Sequence, residues 1–161
     1  MAIRMPTVAA RHRARGFTLV ELVITFIVLT IVAAFAAPSF SQFIASQRVR
    51  GAATDLASAV TLTRSEAVKR NATTDMSSTT TTWAGGWAIS AGTERVRAYG
   101  PYSGIKITTA GGTTLSVGND GRPLNGGQSF QVSPSSSTSS TTVCVQVSGT
   151  GRVATVSGTC P

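Results

Sequence analysis

Hydrophobic and polar positions follow three regimes along the chain. Between Phe17 and Ala37, 21 residues carry Glu21 as their only formal charge. A helix of that length rises roughly 30 Å, about the hydrocarbon thickness of a bilayer. Beyond Pro38, apolar or small residues recur at Phe40, Phe43, Ile44, Val49, Ala52, Ala53, Leu56, Ala59, Val60, Thr63, Ala67 and Val68. Steps of three and four predict one amphipathic helix over 39–72 whose stripe packs on something apolar. Asn71, followed by a Thr-rich run, marks its stop. Pro38 lacks an N–H and clashes with the preceding turn, so it should kink or loosen the helix, and Ser39 can cap the amphipathic stretch.

After residue 72 the pattern changes to short apolar alternations set in Thr, Ser and Gly. Strands are predicted at Gly86–Ala91, Glu94–Tyr99, Ile105–Thr109, Thr113–Val117, Phe130–Ser133, Thr142–Val147 and Arg152–Ser157, separated by Gly-rich or Asn-Asp-Gly turns. This is the pattern of an antiparallel sheet. The segments Thr73–Thr82 and Pro134–Thr141 read as low-complexity surface loops. Trp83 and Trp87 read as packing residues. The expected architecture is α+β: a long N-terminal helix, half membrane-like and half amphipathic, packed on a C-terminal antiparallel β-sheet domain over 73–161.

Charge and composition narrow the function. The formal charge is +8, yet Arg4, Arg11, Arg13 and Arg15 all precede Gly16, and without them the remainder is +4. Such a leader holds its end in the cytoplasm. The remainder is mildly basic, well short of a dedicated nucleic-acid binder. The only histidine, His12, is in the leader. Losing it removes Ser-His and Cys-His nucleophilic catalysis and histidine metal ligation, so no enzyme, cofactor or metal is expected. Cys144 and Cys160 are the only cysteines. An even pair beyond a membrane segment reads as one disulfide in an oxidising compartment. If Gly149-Thr150-Gly151 forms a turn, Ser148 faces Arg152 and Cys144 faces Val156. Cys160 then overshoots by four residues, and the tail must fold back, as Gly158 permits. Gly149-Thr-Gly151-Arg-Val-Ala154 is no dinucleotide fingerprint, because strand rather than helix succeeds it.

A secretory signal cleaved before Ala37 is the ordinary alternative for the N-terminus. Pro38 just beyond that cut and Glu21 within the apolar run weigh against it. An unpaired carboxylate at membrane depth costs on the order of 3 kcal/mol, so Glu21 calls for a partner. Arg15-Gly16-Phe17-Thr18-Leu19-Val20-Glu21-Leu22 resembles the N-terminal signature of type IV prepilins and type II secretion pseudopilins. The resemblance implies cleavage after Gly16 by a prepilin peptidase and N-methylation of Phe17. It also implies that Glu21 pairs with the N-terminal amine of a neighbouring subunit, and that Pro38 matches a family proline. An amine and a carboxylate that are each costly in lipid become tolerable as a pair.

The run Thr63-Arg64-Ser65-Glu66-Ala67-Val68-Lys69-Arg70-Asn71, together with Gly86-Trp87, is similar to the FimT/FimU/GspH branch. That likeness implies a 1–16 leader, a 17–38 transmembrane or filament-core helix, and partnership with other minor and major pilins or pseudopilins. It implies an inner-membrane protein with its C-terminal domain in the periplasm, which later joins a filament. The expected function is a minor pilin at or near a type IV pilus tip that primes assembly. The alternatives are an H-type pseudopilin of a type II secretion system and a DNA receptor for natural transformation. FimT-like proteins carry a Gly-Arg-x-Arg element near their end; here Gly151 and Arg152 match, and Ala154 replaces the second arginine. Arg95, Arg97, Lys106 and Arg122 are the other candidate DNA contacts. Arg48, Arg50, Arg64, Lys69 and Arg70 read as a solvated helix face, with Glu66 spaced for pairs to Lys69 and Arg70.

Overall fold

A computed structural model describes residues 16–136 and 140–161. The arginine-rich leader, with His12, and part of the 134–141 loop lie outside the described residues. The chain divides into two compact units, one ending at Pro38 and the other spanning Ser39–Pro161.

One helix, α1 (Leu19–Arg70), supplies 52 residues. Thr18 caps its start: the Glu21 N–H donates to Thr18 Oγ1 at 3.2 Å, and the Leu22 N–H donates to the Thr18 carbonyl at 3.1 Å. Asn71 ends it in the left-handed region at φ 49°. The Asn71 N–H then donates to the Val68 carbonyl and the Ala72 N–H to the Ala67 carbonyl, a paired C-terminal closure that satisfies two orphan acceptors. Asn tolerates that conformation better than most residues, which explains why the helix stops there.

Eight strands succeed the helix: β1 (Thr74–Ser78), β2 (Trp87–Ala91), β3 (Glu94–Tyr99), β4 (Ile105–Thr109), β5 (Thr114–Val117), β6 (Gln128–Pro134), β7 (Val143–Val147) and β8 (Val153–Ser157). They form two four-stranded antiparallel sheets rather than one. The first has the order β3-β2-β1-β5 and the second β4-β6-β7-β8.

The core sits where both sheets meet the helix. Val49, Leu56, Val60 and Ala67 pack with Met76, Trp87 and Ile89 of the first sheet and with Phe130, Val132 and Val145 of the second. Each fully buried side chain of this size contributes about 1.5–3 kcal/mol relative to an exposed one. Both tryptophans are core residues, and Trp83 sets its ring edge-on to Phe130 at 4.9 Å.

Two expectations need correction. Thr73–Thr82 is no surface loop along its whole length, because β1 runs through its first half. That strand pairs with both β2 and β5 and sends Thr74 and Met76 inward. Its five residues offer one large apolar side chain, so alternation alone hid it; β-branched Thr nonetheless suits a central strand. The predicted helical stripe also holds only from Val49 to Ala67, since Phe40, Phe43 and Val68 are exposed.

Candidate assembly helix and basic surface

The N-terminal half of α1 is apolar on every side, and nothing among the described residues covers it. Phe17, Leu19, Val20, Leu22, Phe26 and Phe35 are all exposed, with Phe17 72% and Phe35 78% accessible. So much apolar surface requires lipid or other helices around it. By length and composition, no single straight helix among the described residues suffices to cross a bilayer; Leu19–Phe35 reaches that length only together with the stretch from Ser39.

Within this surface Glu21 has no ion pair or side-chain hydrogen bond among the described residues. It occupies the third helical position after the Thr18 cap, where the exposed N–H groups of the first turn favour a carboxylate. Thr18-Leu-Val-Glu21 is also a helix-start signature in its own right, a signal legible in the sequence that the family resemblance overshadowed. Gly16 and Phe17 precede the helix as exposed, non-helical residues. Pro38 lies inside the α1 span.

The far end of α1 is clamped. Arg70 Nε donates to Glu66 Oε2 at 2.8 Å, while Arg70 Nη1 and Nη2 donate to the two carboxylate oxygens of Glu94 at 2.6 and 3.1 Å. Lys69 adds a looser contact to Glu66 at 3.8 Å. The Arg70 hydrogen bonds hold both carboxyls below their ordinary range, and those carboxylates hold the guanidinium charged. The pairs to Glu66 were legible from helix spacing; Glu94, 24 residues away, was not. Tyr102 provides a second long-range tie by donating to Asp55 Oδ2 at 2.9 Å, and burial followed by Asp55 pushes its phenol upward.

The candidate basic residues separate on the fold. Lys106 points outward from β4, one edge of the second sheet, while Arg152 opens β8 at the other edge. Arg95 and Arg97 lie on β3, where a register shift between Ile89 and Ser90 pairs Arg97 with Ile89 and Arg95 with Ser90. Cross-strand partners share a face, so the two arginines diverge. Arg97 covers the Tyr99 ring at 5.1 Å. Arg122 and Arg152, by contrast, each follow a glycine of one close backbone contact. Gly121 and Gly151 both have positive φ, 76° and 78°, and the Gly121 carbonyl packs against Gly151. Arg64 of α1 lies across both: a Cβ at Gly121 would meet its Nε at 2.9 Å, and one at Gly151 at 3.5 Å. Arg64, read from sequence as part of a solvated face, thus packs against the backbone just before Arg122 and Arg152, while the Arg152 side chain lines a separate cavity with Gln128, Gln146, Ala154 and Pro161. Asp120 lies 3.9 Å from Arg122 and offsets its charge.

The hairpin carrying Arg152 has the expected register, with Cys144 opposite Val156. The Gly151 N–H donates to the Ser148 carbonyl at 2.8 Å and the Ser148 N–H to the Arg152 carbonyl at 2.9 Å, giving a three-residue loop closed by a glycine bulge. Cys144 and Cys160 form a disulfide with Cα atoms 5.1 Å apart. Gly158, at φ 109°, begins the fold-back.

A helix with an apolar, uncovered N-terminal half and a disulfide-bonded two-sheet head defines the type IV pilin class of structural subunit. Residues 52–151 match the family model described as type II transport protein GspH, and residues 11–37 match the prokaryotic N-terminal methylation motif. The chain belongs to the GspH family of pilins and pseudopilins. Among solved structures it is similar to the type IV minor pilin FimU of Pseudomonas aeruginosa in two crystal forms. One gives a TM-score of 0.59 at 17% identity over 67% of this chain and 87% of that one; the other gives 0.58 at 17% identity over 66% and 91%. No curated protein sequence matches significantly. The methylation motif is that of a membrane-anchored subunit that is processed and joins a filament with other pilins.

Proposed function

We propose that the protein is a minor pilin of a type IV pilus, cut after Gly16, N-methylated on Phe17 and inserted at or near the filament tip, where it primes assembly. The observation that carries the subunit reading is Glu21, a carboxylate without a partner on a helix whose surroundings must be apolar. The amine freed by cutting after Gly16 supplies a positive charge suited to it, and in a packed bundle of such helices the pair offsets the cost of burying either group. Likeness in fold to a type IV minor pilin supports this assignment, and the GspH family match supports the alternative of an H-type pseudopilin of a secretion system equally. Inner-membrane residence before assembly, with the Ser39–Pro161 unit in the periplasm, agrees with a disulfide in that unit.

Mass spectrometry of the mature N-terminus tests the processing: methylated Phe17 is expected, and a start at Ala37 overturns the filament reading. Immunogold labelling of sheared pili tests position, with label confined to filament ends expected and label along the shaft counting against a tip role.

A second reading, DNA contact on a pilus, is supported by the close approach of Arg64 to Gly121 and Gly151, which places Arg122 and Arg152 on neighbouring segments. Ala154 leaves this group without a further arginine, so few phosphates would be neutralised and binding would fall steeply with salt. Full-length protein in detergent should shift duplex DNA at low salt. Arg152→Ala should lower the slope of log affinity against log salt by about 1. Absence of any shift at low salt overturns the reading.

A further inference from the structure

Four strand edges bound the two sheets, and three are guarded. The β3 edge carries Glu94, Arg95, Arg97 and a register shift, and the β4 edge carries Lys106. The β5 edge is covered by the next segment of chain: the Leu124 N–H donates to the Ser116 carbonyl at 2.9 Å, and Val117 bridges to Pro123. Charges, irregularities and covering segments are the usual means of preventing strand addition. The β8 edge has none of these. Val153-Ala-Thr-Val-Ser157 contains no charge, proline, glycine or bulge.

Register shows which groups it offers. Ser148 bonds Arg152 at one end of the hairpin, and the Gly158 N–H donates to the Thr142 carbonyl at 2.8 Å at the other. Hydrogen-bonded pairs alternate in an antiparallel ladder, so Ala154 and Val156 complete the pairing with β7. The N–H and C=O groups of Val153, Thr155 and Ser157 therefore point away from β7, and they have no partner among the described residues.

The residues that carry these groups are exposed or half-buried. They face a groove whose opposite wall is a second stripe on α1, including Thr54, Ala57, Ser58, Thr61 and Ser65. Two cavities of about 480 and 670 Å³ share Thr54 and Thr155 and so form one channel along the strand. Its walls are uncharged except for Arg50 at the Ser157 end, and mostly small apart from Leu62, Val143 and Val153.

We propose that this groove receives one extended segment of a neighbouring filament subunit, which adds to the second sheet as a strand beside β8. Backbone hydrogen bonds to Val153, Thr155 and Ser157 supply the affinity. The small-residue wall selects small uncharged side chains, and Arg50 selects a carboxylate at one end. This rests on the pilin reading. It differs from that reading in naming a site on the Ser39–Pro161 unit at which subunits engage.

Amide exchange on the full chain tests it, comparing purified protein in detergent with protein assembled in sheared filaments. Amides of Val153, Thr155 and Ser157 should exchange freely in detergent and slow at least 100-fold on assembly. Those of Ala154 and Val156 should be slow in both. Thr155→Pro removes one outward N–H without touching the β7 ladder, since proline is tolerated at such edge positions. It should retain its melting temperature and disulfide yet lose at least 10-fold in incorporation. Should that variant misfold, Ala57→Trp fills the groove from the helix side and should give the same loss. Unprotected Val153, Thr155 and Ser157 in filaments that contain the wild-type chain overturn this inference alone, as does normal incorporation of both variants. Protection already present in detergent also overturns it. A wild-type chain absent from filaments overturns the pilin reading itself.

Discussion

At the scale of single residues, the two ends of α1 are set by side chains that answer specific backbone and charge demands. Thr18 satisfies a first-turn donor, and Arg70 ties the last turn to Glu66 and Glu94. The second tie has a pH signature. Both carboxyls titrate below the ordinary value of 4.5 in the folded protein because Arg70 stabilises their charged form. A lowered folded-state pKa contributes stability that is fully present above the unfolded value and is lost as pH falls through the folded one. Melting temperature should accordingly decline below pH 4.5 in the wild type. Arg70→Ala should melt roughly a few degrees lower at neutral pH and show a shallower acid decline. Thermal melts of both proteins across an acid series check this, and parallel curves would exclude the clamp as a contributor.

At the scale of elements, what was legible depended on how much chemistry each segment displayed. The helix announced itself through spacing, with Asn71 as its stop, and the β7–β8 hairpin through its glycines. Strand β1 did not, because Thr74, Asp75, Ser77 and Ser78 look like the low-complexity residues just after them. Its central place is decided by two neighbours, β2 and β5, that local sequence does not reveal. The division into two sheets was equally hidden, since every connection is antiparallel and alternation does not say which strands pair. The approach of Arg64 to the segments before Arg122 and Arg152 had the same difficulty: it depends on two positive-φ glycines that let three segments come close. If β1 is the centre of the first sheet, Met76, fully buried, should be its most sensitive side chain. Met76→Ala should cost about 2–5 kcal/mol by denaturant unfolding of the chain in detergent. Met76→Leu should cost less than about 1.5 kcal/mol. Equal and small effects would place the segment outside the core.

At the scale of the whole molecule, stability and assembly make opposite demands on one residue. Replacing Glu21 by Val removes a carboxylate that costs on the order of 3 kcal/mol at membrane depth, so insertion of the N-terminal helix should improve. The folded unit that begins at Ser39 has its own core and should be unaffected. In a filament of packed N-terminal helices, however, the amine of Phe17 would then lack its carboxylate, and an unpaired charge among apolar helices costs several kcal/mol. Incorporation of Glu21→Val should therefore fall at least about 10-fold, equivalent to a loss of roughly 1.4 kcal/mol, while membrane-bound protein stays at the wild-type level or above it. Glu21→Asp keeps the charge on a shorter arm and should recover part of the loss. The measurement is the ratio of filament to membrane protein in sheared and pelleted fractions. A Val variant that assembles as well as the wild type would show that Glu21 serves the helix start beside Thr18 rather than contact between subunits.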